Sequence, residues 1–174
     1  MPIFGATKRP KLDGLTRDEE KRRDELNPEV LRRSGEKGVA GQAPAAAALL
    51  REKMALEPED YLWPLLLGHQ MMSMRRYSPA IDAFVEAANR NDTEIRAHYG
   101  AAHAYFQAAE AKQNMGDAAT ADVTPKDMTV DNLYHESLRY FLRAQELADK
   151  TEREELNKAT SVLKKAIARK AGRL

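Results

Sequence analysis

There is no cysteine in the 174 residues, which excludes a disulfide framework, a thiolate zinc site and a cysteine nucleophile. Long apolar runs are missing as well. The longest, Tyr61 to Met72, is interrupted by Pro64 and His69 and falls short of the ~20 residues that a membrane-spanning helix needs. The first residues lack the apolar stretch of a secretory signal, so the expected location is cytoplasmic. Neither sign of charge dominates: 28 Lys and Arg against 27 Asp and Glu leave a net charge of +1, which alone favours no polyanionic partner. Aromatic residues are scarce at 6% and alanines are many, a composition suited to close-packed helices rather than sheets. The length accommodates one domain with a real core.

The signatures of catalysis are absent too. No glycine-rich phosphate loop, no G-x-S-x-G and no serine beside a plausible base can be found. His98 and His103 are five residues apart, which turns them about 140° from each other on a helix, so they cannot share a zinc ion as an H-E-x-x-H pair does. His69 and His98 could face one another across neighbouring helices, but no carboxylate stands at helical spacing to complete a metal site. The acids lie on polar faces, where solvated ion pairs are their ordinary use. The chain is therefore expected to be non-catalytic, with no metal and no cofactor.

What is present is helical periodicity, centred on residues 62–88, LWPLLLGHQMMSMRRYSPAIDAFVEAA. An apolar helix runs to a polar break at Arg75-Arg76, and Ser78-Pro79 supplies a capping residue and a helix-compatible proline for a second amphipathic helix. Two helices joined so closely lie antiparallel and share an apolar seam. Small residues at Gly68 and Ala80 allow close approach, and Phe84 fills the space that they leave. This hairpin resembles the tetratricopeptide repeat, whose pattern is W-x2-L-G-x2-Y…A-x3-F…P. Leu67, Gly68, Ala80 and Phe84 fall on the family positions, with Tyr77 and Ala87 on the aromatic and small positions of the second helix. The departures are Trp63, one residue early, a Met (Met71 or Met72) in place of Tyr, and Asp92 in place of the closing Pro.

The rest of the chain is arranged around that unit. Residues 1–42 are expected to form an N-terminal arm, largely extended with short helices: Thr16 and Glu19 make a capping box for a polar helix through about Leu26, Asn27-Pro28 starts another, and Gly35, Gly38 and Gly41 form a flexible linker. This arm reads either as a free tail or as a segment that orders on a partner through Ile3, Phe4, Lys8, Arg9 and Lys11. Residues 43–57, helical from Pro44, form a half repeat, and residues 61–92 the full one. Residues 93–149 form a second repeat, with Gly100 on the family glycine. Tyr134, Ser137, Phe141 and Ala144 reproduce the spacing of Tyr77, Ala80, Phe84 and Ala87 after an insertion of about 25 residues. By the same alignment Phe141 belongs beside Gly100. Thr151 and Glu154 form another capping box for a last helix over 151–172, whose basic side carries Lys158, Lys165, Arg169 and Arg173. A terminal repeat needs such a solvated face.

The expected fold is thus all-α: a short tetratricopeptide-like solenoid with a C-terminal capping helix and an N-terminal arm. The resemblance implies a concave groove lined by the first helix of each repeat, here Leu62, Leu65, Leu66, His69 and Met72, then His98, Ala101 and Tyr105. The family's carboxylate clamp uses Lys and Asn where this chain has Leu65, His69 and His98, so that clamp is not implied. An apolar groove with one soft methionine suits an apolar helix or strand; the alternative is a narrow groove filled by the chain's own neighbours. The function expected is a protein–protein interaction module, an adaptor, assembly factor or accessory subunit of a larger complex. The rival reading, a nucleic-acid-associated protein, would use Lys8, Arg9 and Lys11 with the basic side of the last helix, although no aromatic is interleaved with those charges.

Overall fold

The computed structural model describes the backbone of residues 11–35 and 38–170, and these fold into eight α-helices and no strand. They are α1 (Arg17–Asp24), α2 (Asn27–Ser34), α3 (Gly38–Leu56), α4 (Leu62–Ser73), α5 (Tyr77–Arg90), α6 (Ile95–Met115), α7 (Val130–Leu147) and α8 (Lys150–Lys170), with a 3-10 turn at Gly116–Ala118. From α2 onward each helix packs against the next in the sequence, so that seven helices form one serial array. None of them is long and apolar enough to cross a membrane.

The central hairpin is α4 and α5. Phe84, 1% exposed, fills the space left by two glycines: a Cβ on Gly68 would lie 2.7 Å from its ring and one on Gly100 2.5 Å from it. The sequence pairs Gly100 with Phe141. The structure instead places α6 against the Phe84 side of α5, and Phe141 packs edge-on to Tyr99, ring centroids 5.9 Å apart. Periodicity identifies the buried face of a helix but not which neighbour covers it. Helix α6 is buried along two stripes. Ala97, Ala101, Ala104 and Ala108 form one, while Ala102 and Ala109 form the other on the α7 side, where the buried Ser137 hydroxyl donates to the Ala102 carbonyl at 2.7 Å. Methyl side chains let the helix axes come close, and the hydroxyl keeps a buried polar group paired.

Helix ends follow the sequence in part. The Thr16 box is present, with the Thr16 hydroxyl accepting from the Glu19 amide at 3.3 Å and Glu19 accepting from the Thr16 amide at 2.8 Å. At α8 the box is formed two residues earlier than expected, by Asp149 and Glu152 rather than Thr151 and Glu154: Asp149 accepts from the Glu152 amide and Glu152 from the Asp149 amide, both at 2.9 Å. Helix α5 begins at Tyr77, ahead of Ser78-Pro79, and no side chain caps it. The insertion does so instead: the Asp122 carbonyl accepts from the Ser78 amide at 3.1 Å, and the Asp122 carboxylate pairs with Arg76, also at 3.1 Å. Lys112 ties the same loop down by donating to the carbonyls of Pro125 at 3.4 Å and Met128 at 2.5 Å.

The largest departure is at the N-terminal side. Where a glycine linker is expected, α3 starts at Gly38 and carries Pro44 within it. Gly41 is buried where α2 packs along α3, and tertiary contact overrides the weak helix propensity of glycine. The described part of the arm, residues 11–35 and 38–42, is mostly helical, in α1, α2 and the first turn of α3, rather than largely extended. Leu12 is 2% exposed and belongs to the core. Ile3, Phe4, Lys8 and Arg9 lie outside the described residues, and Lys11 is exposed.

Candidate partner-binding cleft

Residues assigned to a concave groove are mostly inside the molecule. Leu62 is 1% exposed, Leu65 and Ala101 0%, Leu66 6% and His98 7%; Met72 and Tyr105 are half-buried against the core. No partner segment could lie along such a row. The reason is visible in the arm: Leu12 and Leu15 pack onto the core, so the chain covers a face that its own sequence leaves apolar.

The cover is held by one guanidinium. Arg96, at the start of α6, has a side chain only 5% exposed, and every N–H it carries is used. Its Nη1 donates to Glu19 Oε2 at 2.6 Å and to the Gly14 carbonyl at 3.2 Å. Its Nη2 donates to Glu19 Oε1 at 2.8 Å and to Glu94 Oε2 at 2.7 Å, and its Nε donates to Glu94 Oε1 at 2.7 Å. The Tyr61 hydroxyl donates to Glu19 Oε1 at 3.0 Å. Two carboxylates thus share one cation, in the bidentate geometry that makes arginine pairs strong. Burial by itself would push the Glu19 carboxyl up, but hydrogen bonds from Arg96 and the Thr16 amide outweigh it and bring the group down to about 2. Burial beside those carboxylates pushes the Tyr61 hydroxyl up to about 12. A second set of charges fastens α1: Arg22 pairs with Asp60 at 2.5 Å and Glu57 at 3.4 Å, and its guanidinium lies 4.5 Å from the centre of the Trp63 ring. The Trp63 indole N–H donates to Glu57 at 2.8 Å.

Between this cover and helices α2, α3 and α4 a cleft of about 740 Å³ remains. Leu15, Leu26, Val30, Leu50 and Leu66 make the apolar part of its lining, Asn27, Gln42, Gln70 and Ser73 the polar part, and Asp13, Glu20 and Arg23 add charge. His69 also lines it, with its Nε2 buried and without a hydrogen-bond partner. The ring meets Phe84 edge-on at 5.2 Å, and burial holds the imidazole below its ordinary value. Of the groove residues, only Leu66 and His69 are brought together here. His98 lies elsewhere, lining a smaller depression of about 510 Å³ with Asp92, Tyr140 and Arg143. Its Nε2 is bonded to the Asp92 carbonyl at 2.8 Å and its Nδ1 is buried and unpartnered.

Arg96 does not stand out in the sequence, and Glu19 does so only as half of the Thr16 box. The signal for Arg96 was weak: it lies four residues before Gly100, the position expected to pack closely against a neighbouring helix, and a charge brought inside there must have a partner. Nothing in the sequence points to Glu19 as that partner, 77 residues away. No protein-family model, no curated protein and no solved structure matches this chain.

Proposed function

We propose that the chain is a protein–protein interaction module, built as a short tetratricopeptide-like solenoid and acting as an adaptor or accessory subunit without catalysis of its own. The observation that carries this reading is the cleft of about 740 Å³. Three separate stretches of chain wall it, its lining combines leucine and valine side chains with Asn27, Gln42, Gln70 and Ser73, and charged groups stand beside them. That pairing of apolar surface with a few polar anchors is what a bound segment of another protein requires. Glu19 and Arg96 are engaged with each other, which supports a structural rather than a chemical use of these two charges.

The test is capture of the partner from the native source by full-length protein, with two cleft variants, Val30→Glu and Ala46→Arg. Both side chains are half-buried cleft-lining groups, so the folded array survives their replacement, whereas Leu65, fully buried, would report only on folding. Capture should fall at least tenfold in both variants and persist in the wild type between about 50 and 200 mM salt. Six or more phosphate contacts would instead lose on the order of 10³-fold over that range. Loss of capture in Lys165→Glu with Arg169→Glu, and not in the cleft variants, would replace this reading with binding of nucleic acid on the exposed basic side of α8.

A further inference from the structure

We infer that residues 12–26 act as an intramolecular ligand, covering a docking surface centred on Arg96, and that the partner is a segment which takes their place: a leucine, a helix start and a glutamate at the spacing of Leu12, Thr16 and Glu19. This deepens the proposed function and rests on it: the partner replaces one wall of the cleft, residues 13–26, and meets the walls that remain, Val30, Ala46, Leu50 and Leu66.

Three observations lead here. First, α1 is not held as the other helices are. Glu19 is its only buried residue, its exposed sides are Arg17, Asp18, Glu20, Lys21, Arg23 and Asp24, and it is fastened by charge pairs rather than by an apolar face. Eight residues without apolar packing are too few for a helix to persist unaided, so this segment is drawn from the low-stability end of the structure. Second, its departure strands no charge. When Glu19 leaves, Arg96 keeps both hydrogen bonds to Glu94, and the vacated donors meet water because the cover that buried them has gone with Glu19. A buried pair whose remaining partner stayed buried would resist opening far more strongly. Third, what is uncovered is specific. It presents a guanidinium with donors aimed at one carboxylate, the Tyr61 hydroxyl beside them, and the apolar surface that Leu12 occupies. A cation neutralised on one side by Glu94 discriminates by geometry, accepting a carboxylate at a fixed distance from an apolar anchor.

The probe is a fluorescein-labelled peptide of residues 11–26, titrated into the full chain. In the wild type the tethered segment competes, so apparent affinity is reduced by the fraction of molecules that are open. In the double variant Leu12→Asp/Glu19→Gln the tether no longer competes, and the peptide should bind at least about tenfold more tightly than to the wild type. Adding Arg96→Lys should abolish that gain, because an ammonium cannot form the bidentate pair. Independently, hydrogen exchange on the wild type should show the α1 amides of Glu20 to Asp24 exchanging on the order of a hundredfold faster than those of Ala101 to Ala108. A peptide that binds the double variant no better than the wild type overturns the inference, as does α1 exchange as slow as that of α6. If either result is obtained while Val30→Glu still abolishes capture of the partner, the interaction module stands and only its internal ligand falls.

Discussion

Phe84 shows how much of the packing rests on single atoms that are missing. Two glycines on two different helices meet the same ring, and the missing Cβ atoms are what allow it: at Gly100 a methyl would stand 2.5 Å from the ring. Gly100→Ala should destabilise by about 1–3 kcal/mol through overpacking, and Phe84→Ala by about 3–5 kcal/mol through lost burial and a cavity. Combined with Phe84→Leu, the cost of Gly100→Ala should shrink, since the two act on one contact; thermal melts of the four proteins close that cycle. At this scale the sequence was informative about which side chains are buried. Phe84, Ala80, Ala87, Phe141 and Ala144 are all inside, as their spacing requires. It was silent on pairing. The partner of Gly100 was misassigned, and the Arg96–Glu19 pair was missed, because spacing along one helix carries no information about a side chain 77 residues away.

Helices and their ends were legible where the local chemistry is strong. Amphipathic α7 and the Thr16 box lie where their residues place them, and so does the body of α5, although its first turn starts ahead of the expected Ser78 cap. They were illegible where tertiary contact decides, as at Gly38 and Gly41, which read as linker and fold as the first turns of α3. The start of α8 offers a direct comparison. Asp149→Ala should cost about 1 kcal/mol by removing the acceptor for the Glu152 amide, while Thr151→Ala, inside the first turn, should be close to neutral; urea unfolding of both decides between the two boxes. The α4–α5 turn holds a second opportunity. Arg75 has φ of +55°, a left-handed conformation that disfavours side chains, and it ends α4 with its amide and that of Arg76 donating to Met72 and Met71 at 3.0 Å each. Arg75→Gly should therefore stabilise by about 0.5–1 kcal/mol, read as a rise in melting temperature with no change in the slope of urea unfolding.

For the molecule as a whole, the distribution of charge sets how stability responds to acid. Glu19 is held down from 4.5 to about 2 in the folded chain. Its contribution is therefore complete above the unfolded value and is lost as pH falls toward 2; at about 1.4 kcal/mol per unit, the loss is about 3 kcal/mol. His69 and His98 act in a higher window. Burial holds both below their ordinary value of 6.5, so the unfolded chain takes up protons first and stability declines as pH drops below about 6.5. Urea midpoints should fall in two stages, the first reduced in His69→Gln/His98→Gln, with His103, also held down by burial, still contributing, and the second reduced in Glu19→Gln. The overall helical class followed from composition and periodicity, but the candidate site did not, because the cleft exists only once the N-terminal segment has folded back over α4 and α6. That fold-back also imposes an order in time. Glu19 leaves the ribosome long before Arg96, and closing a chain of 77 residues is entropically costly until the helices in between have assembled. Short-range pairs such as α4 with α5 can form first, and the oldest part of the nascent chain docks late. In kinetic terms Glu19→Gln should leave the folding rate nearly unchanged and express its destabilisation as faster unfolding, a φ-value near zero in stopped-flow chevrons.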